Sequence, residues 1–337
     1  MRRARSVIGI LLILFGILIY LIPNFKEYSL NHDMDMVVKE FKTAIDKKKA
    51  ESEEGSSGSE QKDIEDLPAD ENGDIVNMSS GFLSSLRKEM ENYNEHLAKD
   101  GQHLTDAWSY RQSPVNLGEL KELKGAVGYI KIPDMNVQLP LYIGASETNM
   151  ALGAAVMGET SMPVGGINTN SVIVGHRGYS GAPYFKEIEL LKEGSLVYVT
   201  NPWETLIYKV RNIKIIQPYD VNSILIEPGK DMITLLTCHP YMSHGKYRYC
   251  VYCERVREDE INAEEGEDKA VRIPSGDDTE IVNMVPEEFA SSENFIVIER
   301  NLRRVIPLIL LAILLIMIIS NLSESLKKKR KHRSGKD

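Results

Sequence analysis

An uncharged apolar run lies near each end of the chain, and each run has about the length of a membrane-spanning helix. The first run covers residues 7–22 (VIGILLILFGILIYLI), and the second covers residues 305–322 (VIPLILLAILLIMIISNL). A helix needs about 20 apolar residues to cross the hydrocarbon core of a bilayer. The sequence therefore predicts transmembrane helices at 7–22 and 302–322, with the rest of the chain folding outside the bilayer.

Basic residues flank both apolar runs on their outer sides. Three arginines precede the first run, and the sequence KKKRKHR follows the second. Lysine and arginine accumulate on the cytoplasmic side of membrane spans. We therefore expect a two-pass protein of the cell membrane with the basic ends, 1–6 and 323–337, in the cytoplasm and the central domain outside. The alternative for the first run is a cleaved signal peptide, but no small-residue cleavage site follows Ile22.

Two acidic stretches divide the region between the runs. Residues 51–74 and 258–280 each contain ten acidic side chains and no aromatic ring. Such a composition cannot bury enough apolar surface to offset the entropy lost on ordering. We interpret 48–80 and 258–301 as solvated linkers, the alternative being a folded acidic surface. The net charge of −9 comes from these stretches, so it does not indicate a cationic partner.

Helical periodicity appears on both sides of the first linker. Apolar residues at helical spacing predict an amphipathic helix in 23–47 and a second helix at the start of 81–123. The first set is Met34, Val37, Val38, Phe41 and Ile45, and the second is Phe82, Leu86, Met90, Tyr93 and Leu97. The periodicity stops at 101–118, which we interpret as a loop.

From Ala126 onward the chain consists of short β-rich runs separated by Gly, Pro and Asn. Seven such runs precede the second linker: AVGYIKI, VQLPLYI, SVIVGH, SLVYVT, ETLIYKVRNIKII, DMITLLTC and YRYCVYCERV. Only brief helical candidates, at 149–155 and 183–191, interrupt them. This pattern predicts a mainly β domain over 124–257 that closes, or nearly closes, into a barrel.

Three residues with reactive or charged side chains lie at predicted strand ends. Cys238 precedes His-Pro at the end of DMITLLTC, His176 ends SVIVGH, and Arg248 opens YRYCVYCERV. A thiolate, an imidazole and a guanidinium in one place would support acyl transfer, as nucleophile, proton carrier and oxyanion donor. From spacing alone, each also has an ordinary structural interpretation: a buried thiol, a hydrogen-bonded histidine and a surface arginine.

The remaining cysteines do not indicate a disulfide or a metal site. Cys250 and Cys253 are three residues apart on one predicted strand, so their side chains point to opposite faces and cannot readily bond each other. A second ligand pair at zinc-site spacing does not accompany them. We expect both to be buried and unreactive, and we expect neither a metal nor a cofactor.

The residues around these three positions resemble the signature of sortases, the membrane-anchored cysteine transpeptidases of Gram-positive bacteria. The similarity rests on TLLTC, VIVGHRG and the Arg248 strand, with LPLYIG and GAAVMGETSMPVGG, and it covers most of 80–257. It implies an eight-stranded sortase barrel with short helices, in which Cys238 is the nucleophile, His176 the general acid and base, and Arg248 the stabiliser of oxyanion and substrate. The two spans and the segment before the barrel resemble class C, the pilin-polymerising sortases.

Rival assignments exist near the candidate nucleophile. His239 and His244 are close to it in sequence, but the family places its catalytic histidine on a distant strand. The loop HPYMSHGKY is also one residue longer than is common in the family. A slipped register would offer Lys246 or Arg255 in place of Arg248, which is better placed at the start of its strand.

A loop before the barrel covers the site in class C sortases and carries an Asp-Pro-aromatic motif. This chain has Asp106-Ala107-Trp108 at the matching place. The resemblance implies a lid in which Asp106 pairs with Arg248 and Trp108 lies over Cys238, with alanine in place of the usual proline. The alternative is an ordinary turn with a packed tryptophan.

The resemblance implies cleavage of an LPXTG-like sorting signal on a surface protein or pilin. The acyl group would pass to an amine, either a pilin lysine, which gives pilus polymerisation, or a cell-wall precursor, which gives wall anchoring. A hydrolytic cysteine peptidase and an inactive membrane-tethered scaffold are the alternatives. The expected partners are these substrates and membrane lipid, without nucleic acid. The chain's own Leu67-Pro68-Ala69-Asp70 does not complete a sorting motif.

Overall fold

The computed structural model describes residues 2–54, 79–102, 104, 113–178, 184–241, 245–257 and 293–333. Its α-helices are α1 (Arg2–Glu54), α2 (Ser80–Asp100), α3 (Glu147–Leu152) and α4 (Glu293–Arg333). Its strands are β1 (Gly128–Ile132), β2 (Val137–Ile143), β3 (Ala154–Val156), β4 (Thr169–Val174), β5 (Leu196–Thr200), β6 (Thr205–Ile216), β7 (Asp231–His239) and β8 (Tyr247–Val256). The described residues fall into two compact units, residues 2–29 with 293–333, and the others.

The eight strands close into a barrel in the order β1-β2-β3-β4-β7-β8-β6-β5. Strand β7 lies between β4, with which it pairs in parallel, and β8, with which it pairs antiparallel. The barrel closes through β1 and β5. The predicted mainly β, eight-stranded barrel is confirmed, and β7 has a neighbour on each side at the end where the predicted site lies.

Strand β3, which is not among the seven predicted β-rich runs, occupies part of a predicted helix. Residues 149–155 were a helical candidate, but α3 ends at Leu152 and β3 begins at Ala154. Gly153 permits this change because a side chain there would collide with the carbonyl oxygen of Pro140. Three residues are too few to show an alternating pattern, so this strand could not be predicted from periodicity. Within 183–191, the described residues contain a short 3₁₀ helix at Ile188–Leu190.

The two faces of the barrel sheet carry different apolar clusters. Along β4, β7 and β8 the residues divide between the two clusters, as the two-residue period of a strand requires. Cys253 lies with Leu235 and Val251 in the first cluster, whereas Cys250 lies with Leu236 in the second. Both cysteines are fully buried and free, on opposite faces of β8 as predicted.

Two helical segments pack on the barrel. The apolar residues predicted for 23–47 are buried along α1, and Phe41 packs edge-on against Tyr129 with ring centroids 6.3 Å apart. Helix α1 continues to Glu54, into the stretch 48–80, because its Lys, Ala and Glu residues are good helix formers. On α2 the buried face is rotated from the predicted stripe to Leu83, Leu86, Met90 and Asn94. The reason is a pair of hydrogen bonds between the Asn94 amide and the backbone of Met162.

Phe41→Ala tests whether α1 belongs to the barrel core. Phe41 has no solvent exposure, so truncation leaves a cavity and should lower the free energy of unfolding by about 3–5 kcal/mol. Denaturant unfolding of the full chain in detergent, followed by tryptophan fluorescence, measures the change. Lys39→Ala, at an exposed position of the same helix, is the control. A Phe41→Ala value within about 0.5 kcal/mol of that control would show that the helix packs only loosely.

The unit formed by residues 2–29 and 293–333 consists of helix with long apolar segments. Among the described residues, Phe295–Ser320 of α4 is the one segment long and apolar enough to cross a membrane, and Gly9–Leu18 of α1 is a shorter apolar segment. Both expose large apolar side chains, including Phe15 and Leu18 on α1 and Leu308 and Ile316 on α4. Helix α4 begins at Glu293, within the stretch expected as linker, because Phe295, Ile296 and Ile298 extend the apolar pattern.

Candidate active site

The strand ends β7 and β8 place Cys238 beside Arg248. The two residues are directly opposite each other in the antiparallel pair, and β7 stops one residue later, before Pro240. Opposed residues of an antiparallel pair project to the same face, with Cβ atoms about 4.5–5.5 Å apart. The thiol and the guanidinium therefore emerge together at one end of the barrel. Proline stops the strand there because it has no backbone donor for the ladder.

Gly245 closes one side of this pair. A Cβ atom built on Gly245 would lie 3.1 Å from the Cys238 Sγ and 2.8 Å from the Arg248 Nη1. The residue also has a φ of +83°, which L side chains rarely adopt. Its carbonyl oxygen accepts a hydrogen bond of 2.7 Å from Nη1, which also donates to the Tyr247 oxygen at 3.1 Å. Glycine is thus required for the backbone to approach both side chains.

His176 follows strand β4 on the opposite side of β7. The parallel register ends with Val174 opposite Leu236, and the Gly175 amide donates to the Leu236 oxygen at 3.2 Å. Continuing this register by two residues puts His176 level with Cys238. The imidazole packs edge-on against Tyr184, with ring centroids 5.9 Å apart, and the Tyr184 hydroxyl donates to the Ala151 oxygen. The three predicted site residues therefore lie at the ends of three adjacent strands.

The surroundings of His176 shift the pKa of its imidazole from the ordinary value. Burial lowers the pKa of His176, and the nearby carboxylate of Glu147 opposes this effect. Desolvation disfavours the charged imidazolium, whereas a negative neighbour favours it. His176 therefore holds a proton less tightly than a solvent-exposed histidine does.

The three cysteines differ in how far they are buried. Cys238 is partly exposed, whereas Cys250 and Cys253 are completely buried. Burial raises the pKa of Cys250 to about 12, and it raises the pKa of Cys253 still further above its ordinary value. Only the thiolate is a nucleophile, so the two buried thiols are inert at neutral pH.

The residues considered as alternatives to Arg248 and His176 occupy different places in the structure. Arg255 lies opposite Tyr208 on β6, toward the other end of β8, with its guanidinium over the Tyr208 ring and near Glu204. Lys246 is exposed, with its ammonium 5.7 Å from the centre of the Tyr247 ring. His244 lies outside the described residues, as do Asp106 and Trp108 of the predicted lid.

A buried charged cluster beside the site has no counterpart in the sequence predictions. Arg177, Glu189 and His239 meet beneath the ends of β4 and β7, with side-chain exposures of 2%, 7% and 0%. His239, considered above as an alternative to His176, contacts Arg177 and Glu189 in this cluster. One sequence feature could have pointed to this cluster: Arg177 directly follows His176, and His239 directly follows Cys238. Their common partner, Glu189, lies on a separate 3₁₀ helix and carried no signal.

The chain is similar to known proteins of one family. A model of the sortase domain matches residues 130–256. Sortase A of Streptococcus agalactiae serotype III (strain NEM316) is 34% identical over 116 residues, which are 33% of this chain and 46% of that protein. The chain covers 46% to 59% of the length of three sortase A relatives.

Solved sortase C structures are also similar. The Streptococcus pneumoniae sortase C is 30% identical with a TM-score of 0.47, and the match covers 53% of this chain and 91% of that one. Sortase C2 of Group B Streptococcus Pilus Island 1 is 35% identical with a TM-score of 0.47, covering 53% and 100% respectively. With a sortase domain at 130–256 that includes the ends of β7 and β8, and with 35% identity to a sortase C2 that it covers in full, this chain belongs to the sortase family.

Proposed function

We propose that the chain cleaves an LPXTG-like sorting signal and transfers the acyl group to an amine. The observation that carries the proposal is the pairing of a partly exposed Cys238 with Arg248, with His176 level with them on the other side of β7. Membership of the sortase family supports it. An acyl transfer needs a nucleophile, a proton carrier and a donor for the oxyanion, and these side chains supply all three.

In the first half-reaction the Cys238 thiolate attacks the threonine carbonyl of the signal. The carbon–sulfur bond forms, the peptide carbon–nitrogen bond breaks, and the His176 imidazolium gives its proton to the departing glycine amine. In the second half-reaction the acceptor amine attacks the thioester. The carbon–sulfur bond breaks, the thiolate is restored, and the amine's proton returns to His176.

Arg248 would stabilise the oxyanion and hold the substrate backbone. Its guanidinium is a rigid fork of donors, and its Nη1 group is already oriented by the oxygens of Gly245 and Tyr247. A donor that is fixed before the reaction needs little reorganisation as negative charge develops. The pairing across β7 and β8 keeps this fork beside the attacked carbon.

The substrate and the anchoring are further parts of the proposal. A pilin lysine is the favoured acceptor because Asp106-Ala107-Trp108 resembles the lid motif of pilin-polymerising sortases. By that resemblance, Trp108 would lie over Cys238 and Asp106 would pair with Arg248. A cell-wall precursor is the alternative acceptor. The exposed apolar side chains of α4 and of the first part of α1 favour insertion of both helices in the cell membrane, with the barrel outside.

The test uses the full chain in detergent and a labelled LPXTG peptide, with and without an amine acceptor. Intact-mass analysis should show a peptide thioester on Cys238, and a transfer product that depends on the amine. Release of the free acid alone, whatever the acceptor, would assign a hydrolytic peptidase instead. A barrel that folds but forms no thioester would assign an inactive scaffold.

Glu147→Gln should shift the pH profile of kcat/KM. Removing this carboxylate lowers the pKa of His176 further, so the imidazolium is lost at a lower pH and the alkaline limb of the profile moves to lower pH. Glu147 is exposed, so the shift should shrink as salt is added. Glu193→Gln, at another exposed position, is the control. A Glu147→Gln profile identical to wild type at low salt would contradict the role of His176.

A further inference from the structure

The candidate catalytic pair lies beyond the last backbone pairing of its two strands. The ladder between β4 and β7 ends at Val174 and Leu236, and the Gly175 amide makes the last backbone hydrogen bond. Two residues further along, His176 is held by the Phe185 amide, which donates to its oxygen at 3.0 Å, and Cys238 is held by its pairing with β8. Direct links between these two chain segments at that level are made by side chains. One such contact precedes the pair: the Thr237 hydroxyl donates to the Gly175 oxygen at 2.6 Å.

A second set of contacts follows the pair, and it centres on Arg177. Its Nη1 lies 2.7 Å from the His239 Nδ1 and 3.5 Å from the Cys238 carbonyl oxygen. Its Nη2 donates to the Glu189 Oε1 at 2.5 Å. Arg177, which directly follows His176, is thus hydrogen-bonded to the backbone oxygen of Cys238 and to the side chain of His239.

The chemistry of these groups makes Arg177 the centre of the cluster. Arginine only donates hydrogen bonds, so its Nη1 can donate to the His239 Nδ1 when that nitrogen carries no proton. The Glu189 Oε1 is another acceptor, 3.3 Å from the same Nδ1. Arg177 bridges these two acceptors and compensates the buried carboxylate. Glu189 and His239, in turn, hold both ends of the guanidinium fork in one orientation.

We propose that Arg177 is a positioning residue that fixes the distance between the His176 imidazole and the Cys238 thiol. This inference rests on the proposed function of that pair. Arg177 joins the chain after β4 to the last two residues of β7, at the level where the β4–β7 ladder no longer does so. The Arg177 side chain is only 2% exposed, so Arg177 would act through the backbone and not by touching the substrate.

Stability alone is a weak explanation for this cluster. Burying a charged pair costs several kcal/mol in desolvation, and apolar residues of similar volume often stabilise a fold as well or better. Precise placement, by contrast, has a large effect on reaction rate, since an error of about 1 Å can cost about 100-fold. Lysine could keep the charge but not the fork, because its ammonium lacks the planar geometry that reaches two acceptors at once.

The test compares Arg177→Met and Arg177→Lys with wild type in the full chain in detergent, using the labelled LPXTG peptide. Thioester formation is measured at several peptide concentrations to separate kcat from KM. We expect Arg177→Met to lower kcat about 100-fold, with KM within about 2-fold of wild type. Arg177→Lys should recover part of the loss. Arg87→Met, which removes a partly exposed arginine paired with Glu91 and Glu204, should leave both constants unchanged.

The outcomes separate this inference from the proposed function. Circular dichroism identifies the folded variants, and if Arg177→Met does not fold, the kcat of Arg177→Lys decides. Wild-type kcat in a folded Arg177 variant, or a loss confined to KM, would overturn the positioning role. Cys238→Ala is measured in parallel. If it retains thioester formation the proposed function fails, whereas its inactivity beside fully active Arg177 variants rejects only the positioning role.

Discussion

Cys238→Ala should abolish transfer of the LPXTG peptide, with a loss of about 10⁴-fold or more. The change removes the only partly exposed thiol of the three that the structure describes, and with it the atom that would carry the acyl group. Losses of this size are typical when a catalytic nucleophile is deleted. Product formation by the full chain in detergent measures the rate, and intact mass should show no peptide adduct.

The chain supplies its own matched control in Cys253→Ala. Cys253 is completely buried, and burial raises its thiol pKa well above the ordinary value, so the variant should keep its thioester and its rate. A thiol-alkylating reagent should also label native wild-type protein at Cys238 alone. An adduct retained in Cys238→Ala but lost in Cys253→Ala would move the nucleophile and overturn the assignment.

His176→Ala should lower the rate of thioester formation by about 10³-fold, within the range for loss of a general acid or base. Without the imidazole, the departing glycine amine must take its proton from water. The loss should fall mainly on kcat, since His176 acts on the leaving group. The pH-dependent limb that depends on its lowered pKa should disappear from the profile.

Chemical rescue distinguishes proton transfer from a packing effect. Added imidazole should restore part of the activity of His176→Ala, because a small base can occupy the space beside Tyr184. His96→Ala, at an exposed position on α2, should behave as wild type. Activity above about one tenth of wild type in His176→Ala would exclude His176 from proton transfer, since general catalysis contributes at least about 10²-fold.

The parts of the site that the sequence could predict are those set by local pattern. Strand runs bounded by Gly, Pro and Asn carry their own signal, and Pro240 marked the end of β7. Cys238 and Arg248 flank one short hairpin, so their proximity follows from nearby sequence. The match to His176 required the resemblance, because the register of the parallel β4–β7 pair depends on tertiary packing and not on a turn.

What the sequence could not predict depends on contacts between distant segments. Strand β3 is defined by its neighbours β2 and β4, since three residues have no period of their own. Arg177 and Glu189 each looked like an ordinary charged residue, and only the fold brings them together with His239. The lid positions, Asp106 and Trp108, remain predictions outside the described residues.

The buried positions of the other two cysteines leave the reactive sulfur without an internal redox partner. Cys250 is the nearer by register, since it lies opposite Leu236, diagonal to Cys238 across the hairpin. Diagonal neighbours have Cα atoms about 7–8 Å apart, beyond the range of about 4.4–6.8 Å that a disulfide spans. Peroxide would therefore convert Cys238 to a sulfenic acid that only an external thiol can resolve. Outside the cell, the working lifetime of such an enzyme would depend on small-molecule or protein reductants around it.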